Sequence, residues 1–208
     1  MKKSIQTEFS AALERNAPLF GVTLNAEAIT RLTFYYDLLL RWNPRLHLVA
    51  PCAPEEFATR HVLESLLLLP YLERNARVVD VGSGGGLPII PCLALRADVS
   101  ATLIESSPKK SIFLREALKT LQCDERATVV AERFEQLPAP EGDAVTCRAL
   151  DRFEVLLPRL IEWTPPQCRL LLFAGESVLL KLEAAPLPFH TLRVPTSERR
   201  FLIIIERP

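Results

Sequence analysis

The chain has 208 residues, 25 lysines and arginines against 25 aspartates and glutamates, and 49% hydrophobic residues, enough for a large core but with no overall basic surface for nucleic acid. No apolar stretch reaches the roughly 18 residues of a membrane span, Leu66–Leu69 is too short, and polar Ser4, Gln6, Thr7 and Glu8 follow Met1-Lys2-Lys3 where a secretory leader would be apolar. Five scattered cysteines (52, 92, 123, 147 and 168) lack a C-x-x-C pair, so a soluble, reduced, metal-free cytoplasmic protein is expected.

Residues 1–76 hold a single glycine, Gly21, with eight basic and eight acidic residues, and their periodicity is helical. Helices are predicted at roughly 5–15, at Asn25–Trp42 and at Pro54–Leu69. Asn25 is the expected N-cap of the second, and Pro44 its expected end. No flexible linker follows, so 1–76 is expected to cap residues 77–208 within one compact domain.

From residue 77 the texture changes. Apolar runs at 77–81, 100–104, 128–131, 144–147 and 169–173 alternate with helical stretches, among them one opened by Pro108 and one at Phe153–Ile161. That alternation predicts right-handed crossovers and a parallel sheet. Runs at 189–194 and 201–205 lie close together and are expected to pair antiparallel at an edge. The fold class is therefore α/β, Rossmann-like, with about seven strands, mostly parallel, and an N-terminal helical subregion.

Four of the seven glycines fall within Gly82-Ser83-Gly84-Gly85-Gly86, between the apolar strand ending near Asp80 and a helix expected to begin near Leu87. Such a turn lets the backbone approach a ligand without Cβ clashes. Counting Gly-x-Gly-x-x-Gly from Gly82 puts Leu87 in the third glycine position, and from Gly84 puts Ile89 there, so a dinucleotide fingerprint fails. No Lys-Ser or Lys-Thr follows, which removes the nucleoside-triphosphate loop. An adenosine without a diphosphate remains. Glu105, closing the next strand, can accept from both ribose hydroxyls, and neither it nor Asp80 repels a sulfonium; S-adenosyl-L-methionine meets all of these conditions. The plainer reading is a strand–helix turn whose acid caps the next helix.

The run Asp80–Pro88, with Trp42-Asn43 upstream, Arg60-His61-Val62-Leu63-Glu64-Ser65 between and Arg148-Ala149 after the fourth strand, resembles the bacterial 16S rRNA guanine-N7 methyltransferases, also called glucose-inhibited division protein B. The resemblance extends from about residue 30 to the C terminus. It implies a class I S-adenosylmethionine-dependent fold, methylation of a guanine in 16S rRNA of the small ribosomal subunit, and cofactor contacts at Gly82, Gly84, Leu87, Glu105, Phe134, Glu135 and Arg148. It also implies a catalytic position for Arg148 facing the reacting methyl and a substrate-side position for Arg60 and His61, with no metal and no membrane, in a monomer.

Each residue also has a plainer reading. Glu135 reads as a solvated loop acid, Arg148 as a partner of Asp151 or Glu154, His61 as a helix-surface contact of Glu64, and Lys109 and Lys110 as a solvated face. Arg31, Arg41, Arg45, Arg60, Arg148 and Arg152 are candidates for an RNA-binding patch. The resemblance departs at Ile89 (usually glycine), His47 (usually asparagine) and Ala174 (usually lysine), the last removing a contact unless an arginine substitutes. Guanine N7 carries an in-plane lone pair, so its methylation needs no general base, and none stands out. Small-molecule or protein methylation, or noncatalytic ribosome binding, are the alternatives.

Overall fold

The computed structural model describes residues 4–148, 153–183 and 187–206. Helix α1 (Ile5–Asn16) is opened by Ser4, whose hydroxyl accepts from the Thr7 N–H, and α2 (Ala26–Leu46) by Asn25, whose Oδ1 accepts from the Ala28 N–H at 2.8 Å. Pro44 does not end α2. It lacks the N–H that would bond to Leu40, yet the helix runs one more turn until His47 turns left-handed at φ 48° and bonds back to Asn43 at 2.9 Å. The run expected as one helix over Pro54–Leu69 changes pitch three times. Helix α3 (Pro54–Glu56) widens into a π-helical turn at Phe57–Leu63, and a 3₁₀ stretch follows at Leu66–Tyr71.

The strands are β1 (Arg77–Val81), β2 (Ser100–Ile104), β3 (Ala127–Val130), β4 (Ala144–Arg148), β5 (Arg169–Gly175), β6 (Phe189–Arg193) and β7 (Arg200–Ile205). They form one sheet in the order β3-β2-β1-β4-β5-β7-β6, parallel through β5, with β7 antiparallel to both β5 and β6. The expected antiparallel pair is present, with β7 inserted between β5 and the edge strand β6. Helices α4 (Ile89–Leu95), α5 (Pro108–Thr120), α6 (Phe153–Trp163) and α7 (Glu176–Glu183) complete the layers. The glycine turn delays α4 two residues past the expected start.

Side-chain alternation divides the core between the two faces of the sheet. Val78, Leu103, Leu171, Phe173 and Ile204 point to one face and pack with α1, α2, the 54–71 run, α4 and α5. Val79, Val81, Val145, Leu172 and Ile203 point to the other, against α6 and α7. Burial of these apolar side chains, each contributing about 1.5–3 kcal/mol, fixes which face of every strand meets which helical layer. The strand order reverses direction at β1, so a crevice opens between the carboxyl ends of β1 and β4.

Candidate active site

The glycine turn sits at that crevice. The N–H groups of Gly82 and Ser83 both donate to the Ile104 carbonyl, at 2.9 and 3.1 Å, tying the turn to the end of β2. Gly86 requires glycine most strictly: its φ is +85°, and a Cβ there would lie 2.3 Å from Ile90 Cδ1. The turn is also held from behind, because the buried Tyr35 hydroxyl donates to the Gly85 carbonyl and Leu48 packs over Gly85. Asn43 keeps Leu48 in place, its amide donating to the Val49 carbonyl at 3.1 Å and its Oδ1 accepting from the Val49 N–H at 3.0 Å.

Glu105 is buried at the end of β2. Its Oε2 accepts from the Gly84 N–H and its Oε1 from the Ser107 N–H, both at 2.8 Å. Two backbone donors thus fix the carboxylate, and each oxygen keeps a lone pair. One recess is walled by this carboxylate with Gly82, Gly84, Leu87, Lys110 and Arg148. A second, reached across the shared Gly82 and Ser106, is lined by Phe134 and the half-buried Glu135. Phe134 itself is buried edge-on against Trp163, 5.4 Å between ring centroids. Glu135 is therefore not a fully solvated loop acid, and Lys110 lines the first recess while Lys109 is exposed.

Asp80 belongs behind the turn and not in the crevice. It is fully buried, its Oδ1 accepts from the Thr146 hydroxyl at 2.6 Å, and among the described residues its Oδ2 has no hydrogen-bond partner. Burial pushes its carboxyl up to about 6, opposed by hydrogen bonds from Ser83 and Thr146. Its part in the sulfonium argument passes to Glu105.

Arg148 ends β4 with its guanidinium turned onto the wide turn at Phe57–Leu63. Nη2 donates to the Arg60 carbonyl at 2.7 Å, and Nη1 reaches the His61 carbonyl and Ser65 Oγ, both at 3.4 Å. Nη2 also lies 3.5 Å from Glu64 Oε1, and the guanidinium sits 5.6 Å above the Phe173 ring. A bidentate grip on an incoming carboxylate or phosphate is thus not what Arg148 is arranged for. It orders the turn that carries Arg60 and His61. The alternative partners lie outside the described residues, Asp151 entirely and Glu154 in its side chain.

His61 does not pair with Glu64. Its ring packs on Phe57 at 5.2 Å, and burial first, then Arg148, hold it far below the usual imidazole range, at about 3, so it is neutral near pH 7. Glu64 is buried between Arg148 and Arg200, with Arg200 Nη1 3.3 Å from Oε2. Burial pushes its carboxyl up, and the two arginines oppose that rise.

The candidate arginine patch does not gather. Arg31 donates to the Leu121 carbonyl beside α5, Arg41 pairs with Asp37 one turn away, and Arg152 lies outside the described residues. Arg60, Arg148 and Arg200 do converge, around a third recess bounded by Phe173 and Ala174. Glu64 and Arg200 were not anticipated as site residues. The departure at Ala174 was the available signal, since Arg200 is the cross-strand partner of Gly175, the residue after it.

A parallel five-stranded core extended by an antiparallel hairpin, with a glycine turn after β1 and an anchored acid after β2, defines a class I methyltransferase of Rossmann-like fold. A ribosomal protein L11 methylase from Lactobacillus delbrueckii subsp. bulgaricus has this fold, with a TM-score of 0.58 and 16% identity over 72% of this chain and 79% of that one. The family model described as rRNA small subunit methyltransferase G matches residues 28–198, and the chain belongs to that family. A relative named Ribosomal RNA small subunit methyltransferase G from Xanthomonas axonopodis pv. citri is 36% identical over 98% of both chains. Another of that name, from Sorangium cellulosum, is 40% identical over 75% of this chain and 68% of its own length.

Proposed function

We propose that this enzyme transfers a methyl group from S-adenosyl-L-methionine to N7 of one guanine in 16S rRNA of the small ribosomal subunit, as a cytoplasmic monomer whose residues 1–76 and 77–208 form one compact domain. The observation that carries the reading is the anchored Glu105 carboxylate against the glycine turn, directly beside an arginine-walled mouth. The residues fit the cofactor. The lone pairs of Glu105 suit the ribose diol, Gly82 and Gly84 at φ 72° and 51° permit close approach, and Leu87 supplies apolar wall. Phe134 and Glu135 line the recess suited to the adenine, and Arg148 stands between cofactor and substrate.

When bound, S-adenosyl-L-methionine supplies an electrophilic methyl on a sulfonium. This chain's residues then need only align and desolvate the acceptor, because guanine N7 has no proton to lose. Neutral His61 and the Arg60 side face the substrate. The names of the relatives support rRNA as that substrate. Among the described residues no helix is long and apolar enough to cross a membrane, which is compatible with that setting.

The test incubates the protein and methyl-labelled S-adenosyl-L-methionine with naked 16S rRNA or with small subunits lacking the modification, then maps N7-methylguanine by chemical cleavage. Label at one guanine is expected. Measurable cofactor binding without label in either RNA state would reject the assignment.

A further inference from the structure

The three recesses follow the strand order across one edge of the sheet: the β3 and β2 ends, then β1 and β4, then β5 and β7. The first two account for a cofactor. The third, about 340 Å³, is at the small end of ligand pockets and joins the second through His61 and Arg148. One wall is apolar, from Phe173, Ala174 and Val178, and the opposite wall carries Arg60, Arg148 and Arg200 around buried Glu64.

These charges are not equivalent. Arg148 is committed to the Arg60 and His61 carbonyls and is 12% exposed in its side chain, and Arg60 is engaged with Glu56 one turn away at 3.0 Å. Arg200 is 29% exposed in its side chain, and its Nε donates to Ser197 Oγ at 3.2 Å. Its Nη1 approaches Glu64 Oε2 at 3.3 Å, but that oxygen accepts no hydrogen bond among the described residues although it is buried. The carboxylate therefore holds the Arg200 guanidinium at the rim by charge without using its donors. A rim guanidinium with spare donors, above an apolar wall and next to the methyl-transfer crevice, suits a nucleotide: the base lies against the wall and the phosphate meets the fork.

We propose that this recess seats the target nucleotide and that Arg200, oriented by Glu64, binds the phosphate of that nucleotide or the one adjoining it. The proposal rests on the rRNA reading of the crevice. It makes Arg200 a substrate-binding residue and Glu64 a positioning residue, and it places at the start of β7 a positive charge beside Ala174.

The test compares wild type with Arg200→Gln and Arg200→Lys in three measurements. S-adenosyl-L-methionine affinity, read by calorimetry, is expected to stay within about twofold in both variants, because Arg200 does not line the cofactor recesses. Binding to unmodified small subunits is followed over a salt series. Arg200→Gln is expected to weaken it about tenfold and to lower the log–log salt slope by roughly 0.7–0.9, the contribution of one phosphate contact, while Arg200→Lys keeps the slope. An unchanged slope in Arg200→Gln, or equal loss of slope in both variants, overturns the proposal.

The third measurement uses no ribosomal RNA, so it separates this proposal from the function it rests on. Guanosine 5′-monophosphate and guanosine are titrated by NMR with S-adenosylhomocysteine present. Preference for the monophosphate in wild type, lost in Arg200→Gln, supports the recess even if rRNA proves not to be the substrate; no preference in wild type overturns it.

Discussion

The recess at the glycine turn and the recess at the β7 end adjoin across Arg148 but are made of different material. The first is built from backbone: N–H groups of Gly84 and Ser107 on a carboxylate, N–H groups of Gly82 and Ser83 on a carbonyl, and a hydroxyl from behind on Gly85. The second is built from long charged side chains that come from residues 60, 64, 148 and 200. Backbone donors lose little freedom when they bind and cannot be replaced singly, whereas arginines at a rim keep rotamer freedom and can be exchanged between positions. The difference suits a small rigid ligand on one side and a large polyanionic one on the other.

The comparison is broken most severely on the backbone side. Gly82→Asp puts a side chain at φ 72° and a second carboxylate into the recess; cofactor affinity is expected to fall on the order of a hundredfold, about 3 kcal/mol, by titration calorimetry. Nucleotide binding in the third recess should persist in that variant. Next comes the shared wall. Arg148→Ala leaves Glu64 with Arg200 alone and removes the donors on two carbonyls, so urea unfolding should show a loss of about 3 kcal/mol together with lost transfer.

A smaller effect separates the two sides by pH. Asp80, behind the turn, has a folded pKa near 6 against an ordinary 3.8, so the folded state holds the extra proton and this group's contribution to stability falls as pH rises from about 4 to 6. His61, at the mouth, is depressed from 6.5 to about 3, so the unfolded state holds the proton and its contribution is lost as pH falls below 6.5. The two oppose each other between pH 4 and 6. Relative to wild type, Asp80→Asn should make stability rise more with pH and His61→Gln should make it fall more, each by up to about 1.4 kcal/mol per pH unit in denaturant titrations. Parallel curves would refute both. The smallest effect is a control: Arg41→Ala, an exposed i, i+4 partner of Asp37, should leave stability, cofactor affinity and salt slope unchanged.

This division also governs what could be read from the residues alone. Alternating apolar runs placed all seven strands within a residue or two, because pleat and burial enforce the pattern locally. The glycine turn and Glu105 were visible for the same reason, being local backbone requirements. Pro44 misleads because a proline removes only its own N–H and the helix still closes through the His47 N–H on the Asn43 carbonyl, and the 54–71 run misleads because apolar spacing hardly distinguishes α from π and 3₁₀ pitch. Asp80 reads in the sequence as a cofactor-side charge, yet it lies inside β1 and its side chain is buried behind the turn. Glu64 and Arg200 lie 136 residues apart and meet only because β7 runs antiparallel beside β5, which no local pattern announces.

The wide turn at Phe57–Leu63 has a consequence for how the enzyme can vary. A π turn holds one residue more than an α turn, so it behaves as a single inserted residue absorbed without breaking the helix. Winding the same residues at α pitch, with none removed, would rotate everything on one side of the turn by about 100° relative to the other. Phe57 could then keep its aromatic neighbours only if Glu64 swung out of phase with both of its arginines. The wide turn therefore keeps the hydrophobic anchor of this segment and its charged face in register despite the spare residue, so the segment can lose one residue there and hold both, whereas a second insertion would uncouple them.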